Sequence, residues 1–576
     1  MLTAAEMPAD AVAAHLLQAP PTGERWIVTT LRRAAGEALA RGAPAGAASY
    51  LERALAERPV ARERRDLLLE LGQAESQIPS SRAVEHLREA LELAEDPEEI
   101  GAASLWLGQT LYNAGALDEA FASLSDVLER NDGADSDAML ELEAYLLSIA
   151  AAAGKLDATA GRAASLEART PNGSSAATAV HATLAFRDLL SGGPRQRVRE
   201  RAVRALAETR RDAGSHLSNR QAPGMCLVWT DDLDGAIELF DEMLEIAARM
   251  GRRQSFEMYS ALRGYTAQRR GDLADAAADI EPIVAAASLA DLGFAELVAV
   301  IANVRLLTDV GRARAAEELA LAARVPAGFE RGFMAAKLRH SQGAAQLAQG
   351  KFDHAAATLA EVGELCDANG ILTPVPFPWR SDLALALAGT DRHDDAVRLA
   401  VTELRLAESC GVDRARGHAL RALGALYGGE VGVQHLEAAV QAFARSAARI
   451  EHGWACYQLG SALRRANQRR AARAPLDQAL DLGLGCGATL LCERARDELK
   501  ALGARPRSVM LTGVESLTAS ERRVCRLAAD GLKNSAIAQA LFVSLRTVET
   551  HLGHAYRKLD ITSRTELAQA LAQPPS

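Results

Sequence analysis

A short phrase recurs along most of this chain and restricts its fold more than any other feature. It is a turn residue, an apolar residue two places later, often an aspartate next, and then alanine. It reads GALDEA from Gly115, GKLDAT from Gly154, DDLDGA from Asp231, GDLADA from Gly271, GRARAA from Gly311, GKFDHA from Gly350 and DRHDDA from Asp391. Weaker copies start at Gly42, Ile78, Gly192, Gly432 and Asn467, and all the intervals between 42 and 467 lie between 35 and 41 residues. Glycine lets the backbone turn, the apolar residue packs into the corner, and alanine allows close approach of the next helix. Downstream of the corners the apolar residues keep helical spacing, as in Phe121, Leu124 and Leu128, or Ile237, Phe240, Leu244 and Ile246. No helix pair can bury its apolar stripe alone, so neighbours must stack. The expectation is an all-α fold: an α-solenoid of eleven to twelve helix pairs over residues 1–502.

Composition agrees. Hydrophobic residues make up 49% of the 576 residues but only 4% are aromatic, so alanine and leucine, both strong helix formers, carry the apolar content. The phrase resembles the tetratricopeptide repeat, with a longer period than that family's. Solenoids expose a concave face that receives proteins, peptides or small ligands. The stretch TPVPFPWRSD at 373–382 interrupts the helical pattern with three prolines. It reads as a rigid connector with a buried tryptophan rather than a recognition loop. His86, His354 and His435 stand singly on helices, and no ligand role is expected of them.

Seven cysteines (226, 366, 410, 456, 486, 492 and 525) are scattered without ligand spacing, as buried thiols in a reducing compartment would be. The start MLTAAEMPAD has no basic segment followed by an apolar run. The most apolar window, 294–310, contains Glu296 and Arg305, which a bilayer would penalise. A cytoplasmic protein without membrane contact is expected. The net charge of −10 argues against nucleic acid, but it is an average of unlike parts. Residues 517–572 hold eight Lys/Arg against five Asp/Glu, a balance of +3, and the remainder stands at −13.

That basic segment reads as four helices. Thr518 and Glu521 have capping-box spacing before a helix with Val524, Leu527 and Ala528 inward, and Gly531 stops it. Asn534 is expected to cap a second helix packed through Ile537, Ala538 and Leu541. Phe542, Val543 and Ser544 form a tight turn, and Ser544 caps a third helix to about Leu559. Ser563 and Glu566 repeat the box spacing before a fourth helix bearing Leu567, Ala570 and Leu571. The second and third helices with their short turn form a helix-turn-helix, which lays its later helix in the DNA major groove. Val548, Leu552, Ala555 and Leu559 share one face of that helix and must point inward. Arg546, Thr547, Glu549, Thr550 and Gly553 then face outward as base-reading candidates. Lys533, Asn534, Arg557, Lys558 and Arg564 sit at helix ends or on the rim, suited to phosphate contacts. His551 and His554 lack a third ligand for a metal, and no metal or cofactor is expected.

LT-x-x-E, G-x-x-N-x-x-IA-x-x-L, S-x-x-TV-x-x-H and KL-x-x-x-SR, as they stand here, resemble the LuxR/GerE-type DNA-binding domain over its whole length. The resemblance implies a bacterial transcription regulator that binds double-stranded DNA as a homodimer. It assigns phosphate contact to Lys558 and Arg564, and pairing to the fourth helix with Leu567, Ala570 and Leu571. Where that family commonly has Lys or Arg after the TV pair, Glu549 stands here, so base preference does not carry over. AAHLLQAPP (13–21), PWRSDLALAL and SALRRANQRRAARAPLDQAL resemble the C-terminal half of the large ATP-binding LuxR (LAL) regulators. Those begin with an NTPase module. None of the six lysines here lies in a G-x-x-x-x-G-K-[ST] loop, which implies either a shortened regulator or a piece of a longer one.

The sequence therefore predicts a solenoid (1–502), a linker (503–516) with Gly503, Pro506 and Gly513, a DNA-binding domain (517–572) and a tail (573–576). The solenoid would receive a protein or small-ligand signal and govern the terminal domain, activation being the family's commoner role. The alternatives are an interaction scaffold and a fragment of an ATP-dependent regulator. No nucleophile elbow, HExxH or paired-carboxylate signature suggests an enzyme.

Overall fold

The computed structural model describes residues 9–78, 82–134, 136–170, 173–209, 220–250, 252–390, 392–503, 517, 519–541 and 543–571. Among the described residues there are thirty α-helices and no strand. Twenty-four of the helices form twelve consecutive pairs, from Arg25–Ala40 with Pro44–Ala56 to Arg449–Arg465 with Arg469–Cys486. Ala9–Leu16 packs ahead of the first pair and Thr489–Ala501 behind the last.

The corners fall where glycine permits them. Gly42, Gly115, Gly154, Gly192, Gly271, Gly311 and Gly350 all have φ between +73° and +92°, and Asp231 and Asn467 adopt +61° and +60° without glycine's freedom. Two expected corners differ. Gly432 lies inside the helix Gly429–Ala444, and the turn is made four residues earlier by Gly428 and Gly429 at φ +59° and +54°. Near Ile78 the chain passes from Ala61–Glu75 to Ala83–Glu92 with no left-handed residue among those described. Asp391 lies outside the described residues.

A second glycine, in the middle of the first helix of many pairs, sets how closely the two helices approach. A β-carbon at Gly108, Gly264, Gly343 or Gly460 would stand 2.5–2.9 Å from Leu124, Ile280, Leu359 or Leu476 respectively. Each of those residues lies sixteen positions further on and is fully buried. Gly72 receives Leu87 in the same manner.

The pairs wind tightly enough for successive turns of the superhelix to touch. The Leu190 carbonyl, at the fifth corner, accepts from the amide of Leu372 at 2.9 Å. Asp231, at the sixth, binds Arg414 Nε at 2.7 Å. The Arg270 carbonyl, at the seventh, accepts from Arg449 Nε at 2.9 Å, and the Val310 carbonyl, at the eighth, from the Thr489 hydroxyl at 2.8 Å. Each of these four corners thus meets the chain at or leading into the helix five pairs later. The first helices of the later pairs face inward and are buried nearly all round, as in Phe294–Asp309 and Phe333–Ala348. The 373–378 stretch is one of the connectors between turns. Val375, Phe377 and Trp379 are buried, with the Trp379 ring against Gly363. All seven cysteines are buried free thiols.

The terminal domain comprises Ala519–Ala529, Asn534–Ala540, Leu545–Leu559, a 3-10 turn Arg564–Glu566 and Leu567–Leu571. Its first helix rests on Leu273–Ala286 of the seventh pair. There Asp279, 4% exposed, joins Arg263 Nε at 2.8 Å and Arg523 Nη2 at 2.5 Å. Burial alone would raise this carboxyl, and the two guanidinia reverse that and hold it below its ordinary value. Of the linker only Gly503 is among the described residues. Among those residues no helix is long and apolar enough to cross a membrane.

The glycine seats make a stability prediction. Gly460→Ala drives a β-carbon into Leu476 Cγ and towards the Ala472 carbonyl, so it is expected to cost about 1–3 kcal/mol by overpacking despite alanine's better helix propensity. Thermal and urea denaturation of the full chain measure it, and an unchanged midpoint would remove the steric role of these glycines.

Candidate nucleic-acid interface

The helix Leu545–Leu559 begins where Ser544 leaves the extended backbone. Its hydroxyl accepts from the Thr547 amide at 3.1 Å, the capping bond expected from sequence. Val548, Leu552 and Ala555 are buried in a core shared with Val524, Ala528, Ile537 and Leu567, and Leu559 packs on its edge. With that face committed, the other points away from the domain. Arg546, Glu549, Thr550 and Gly553 are exposed and Thr547 is half-buried. The Thr547 hydroxyl lies 2.8 Å from Ser544 Oγ, and that of Thr550 donates to the Arg546 carbonyl at 2.8 Å. A β-carbon at Gly553 would meet nothing within 4 Å, so packing inside the chain does not require glycine there. The base-reading candidates therefore share one open strip over the N-terminal part of the helix.

The phosphate candidates divide. Lys533 and Arg557 are exposed on the rim. Arg564 turns inward: its guanidinium donates to Asn534 Oδ1 at 2.7 Å, to the Ala528 carbonyl at 3.2 Å and to the Leu532 carbonyl. Asn534 is accordingly no N-cap. It stands one residue inside the second helix, Lys533 holds the cap position, and the amide oxygen accepts from Arg564. Lys558 Nζ lies 2.7 Å from Glu521 Oε2, a carboxylate only 3% exposed. Glu521 was expected in a capping box with Thr518, which lies outside the described residues. Its carboxylate is tied to the recognition helix, with His554 at 3.8 Å from its other oxygen. Sequence spacing gave no sign of this clamp, because the partners are 37 positions apart on different helices.

The fourth helix also needs correction. It starts as the 3-10 turn Arg564–Glu566, where the Ser563 hydroxyl donates to Glu566 Oε1 at 2.5 Å. Leu567 is fully buried in the domain's own core and cannot form a dimer surface, because its side chain is already spent on the fold. Ala570 and Leu571 keep partial exposure. What remains outward is a narrow polar strip edged by cations, matching the groove-facing surface of a helix-turn-helix. His551 is half-buried within the same helix and burial lowers its imidazole.

Comparison with known proteins agrees with this geometry. Residues 515–571 match the family model described as bacterial regulatory proteins, luxR family. The HTH-type transcriptional regulator Rv0890c of Mycobacterium tuberculosis is 52% identical over 61 residues, which cover 11% of this chain and 7% of that protein. The transcriptional regulatory protein LiaR of Bacillus subtilis is 41% identical over 54 residues, 9% of this chain and 26% of that protein. The matched stretch is thus a small part of each relative. Among solved structures, a chain of the APC/C hetero-tetramer Cut9–Hcn1 aligns over 95% of this chain and 99% of its own, with 13% identity and a TM-score of 0.45. Yeast Tom70 aligns over 83% and 95%, with 14% identity and a TM-score of 0.28. The terminal segment is therefore a LuxR-family helix-turn-helix domain.

The inward cations predict a division among alanine variants. Lys558→Ala removes the cation 2.7 Å from the buried Glu521 carboxylate and should lower the domain's melting stability by about 1–2 kcal/mol, since the lysine is itself partly exposed. Lys533→Ala should leave stability unchanged and weaken every DNA sequence alike, lowering the salt slope by about 0.9. Melting curves and salt-dependent DNA titrations separate the two; equal melting temperatures would remove the clamp.

Proposed function

We propose that this chain, bearing a LuxR-family helix-turn-helix domain, is a DNA-binding transcription regulator. Its helix Leu545–Leu559 reads base edges in the major groove, and its solenoid receives the controlling signal. The observation that carries the reading is the open strip of Arg546, Thr547, Glu549, Thr550 and Gly553 on a helix whose opposite face is locked in the core. Arg546 offers the fork that suits guanine, and the threonines suit thymine methyls or hydrogen bonding to either pair. Lys533 and Arg557 hold the backbone on either side. Two copies bind together, with their recognition helices about one turn of DNA apart. Ala570 and Leu571 remain as contacts between them. Activation rather than repression is the effect we expect.

The seat of the terminal domain supports control by orientation. Arg523 holds the first helix on Asp279 while the reading strip stays exposed. A signal on the solenoid then changes how two domains are presented to adjacent half-sites, without having to uncover a buried helix.

Glu549 favours a second reading, an interaction scaffold whose terminal module has lost operator binding. Its exposed carboxylate faces the phosphate field from the centre of the strip. Selection from pooled oligonucleotides with the full chain decides between them. We expect one enriched sequence; recovery of none at moderate salt favours the scaffold. Arg546→Ala and Thr547→Ala should each relax the selected sequence, costing about 1–3 kcal/mol of discrimination at a single position. Equal losses on selected and random DNA would refute their base-reading role.

A further inference from the structure

The recognition helix carries two exposed side chains that its own packing does not call for. Leu545, its first residue, stands three positions before Val548 and continues the row of Val548, Leu552 and Ala555 that fills the core. It lies beyond the end of that core and is 48% exposed. Among the described residues of the terminal domain no other large apolar side chain is exposed. Single apolar side chains are common on protein surfaces, but this one occupies the N-terminal end of a groove helix, where side chains of this motif touch base edges. Glu549 follows one helical turn later and is exposed as well. The two therefore share one edge of the strip, about 6 Å apart along the helix axis.

The chemistry of the two side chains narrows what that edge can read. Leucine has no polar atom, and the apolar group that a base edge presents in the major groove is the thymine methyl. An ionised carboxylate has acceptors and no donor. Guanine N7 and O6 and thymine O4 are acceptors as well, so they repel it. Adenine sets an N7 acceptor beside its amino group, whereas cytosine presents its amino group without an acceptor of its own. Leucine therefore suits thymine and glutamate suits cytosine, and both are pyrimidines. The edge is also held firmly. The Ser544 hydroxyl accepts from the Thr547 amide at 3.1 Å and fixes the first turn, while Val548 and Leu552 anchor the helix from below.

We propose that Leu545 and Glu549 form a pyrimidine-reading edge, in which Leu545 packs on a thymine methyl and Glu549 accepts from a cytosine amino group. Their separation along the helix, against a base-pair rise of about 3.4 Å, places the two bases no more than two base pairs apart. The assignment deepens the regulator reading and rests on it. It also gives Glu549 a positive role. A carboxylate in the groove weakens attraction to every sequence, and the loss is offset only where a cytosine amino group meets it. The gap between the selected sequence and random DNA widens as a result.

Selection from pooled oligonucleotides with the full chain supplies the duplex for the test, and we expect it to contain a thymine and a cytosine within two base pairs. Each thymine is then replaced in turn by deoxyuridine, which removes the methyl group alone. At one position this should weaken wild-type binding about fourfold, the worth of one buried methyl, and there it should leave Leu545→Ala unaffected. Glu549→Gln should bind random DNA more tightly than wild type and should select adenine where wild type selects cytosine, because an amide both donates and accepts. Both side chains are exposed, so neither variant should shift the melting midpoint. If no deoxyuridine weakens wild type, or Leu545→Ala suffers the same loss, the methyl contact is overturned. An unchanged selected sequence with Glu549→Gln overturns the cytosine contact. Recovery of no sequence by wild type sinks the regulator reading and this edge with it, whereas a selected sequence with flat responses sinks the edge alone.

Discussion

The architecture depends on the ion cluster around Arg414. Five helix pairs return the chain to its own corners, and at that return Arg414, 3% exposed, binds Asp231, Glu451 and the Arg269 carbonyl together. It therefore ties the sixth, seventh, eleventh and twelfth pairs at one point. An arginine is suited to this because its planar fork satisfies several acceptors in fixed directions. A buried pair of this kind adds little net stability over an apolar substitute, but it strongly disfavours other registers, in which three charges would be left unpaired. Successive turns of the solenoid are thereby joined, and its inner helices carry charge.

The same economy governs the terminal domain. It has a positive balance, but two of its basic residues serve the fold. Arg564 donates to two backbone carbonyls and Asn534, fixing the second helix against the fourth, and Lys558 fixes the recognition helix against Glu521 on the first. A helix-turn-helix is only as selective as its groove helix is rigid, because base contacts demand fixed geometry. These two cations hold the helix that carries Arg546 and its neighbours in place, while Lys533 and Arg557 stay exposed on the rim.

Much of this was legible in the sequence, for reasons that particular residues make plain. The glycine corners were readable because left-handed backbone strongly favours glycine, and Gly115, Gly271 and Gly311 adopt it. Val548, Leu552 and Ala555 were readable because a helix buries one face at a fixed period. Gly432 was misplaced because the period alone, without a turn residue's own chemistry, favoured it over the Gly428–Gly429 pair. The glycine seats at Gly264 and Gly460 went unnoticed, since their meaning lies in a partner sixteen residues away. Turn-to-turn closure was out of reach, because it accumulates from small rotations at every pair. Pairings such as Glu521 with Lys558 and Asn534 with Arg564 join distant positions and leave no local pattern.

The solenoid and the terminal domain meet at a buried carboxylate. Asp279 is nearly sealed from solvent between Arg263 of the solenoid and Arg523 of the DNA-binding domain, so removing either guanidinium leaves a buried carboxylate short of a counterion. The contact therefore resists being broken, and the reading strip is exposed while it stands. On the regulator reading proposed above, a shift in the helix Arg253–Arg270 would move Arg263 and with it the seat of Arg523. In that proposal a tilting seat would transmit orientation, which two paired recognition helices would have to share to reach half-sites one DNA turn apart.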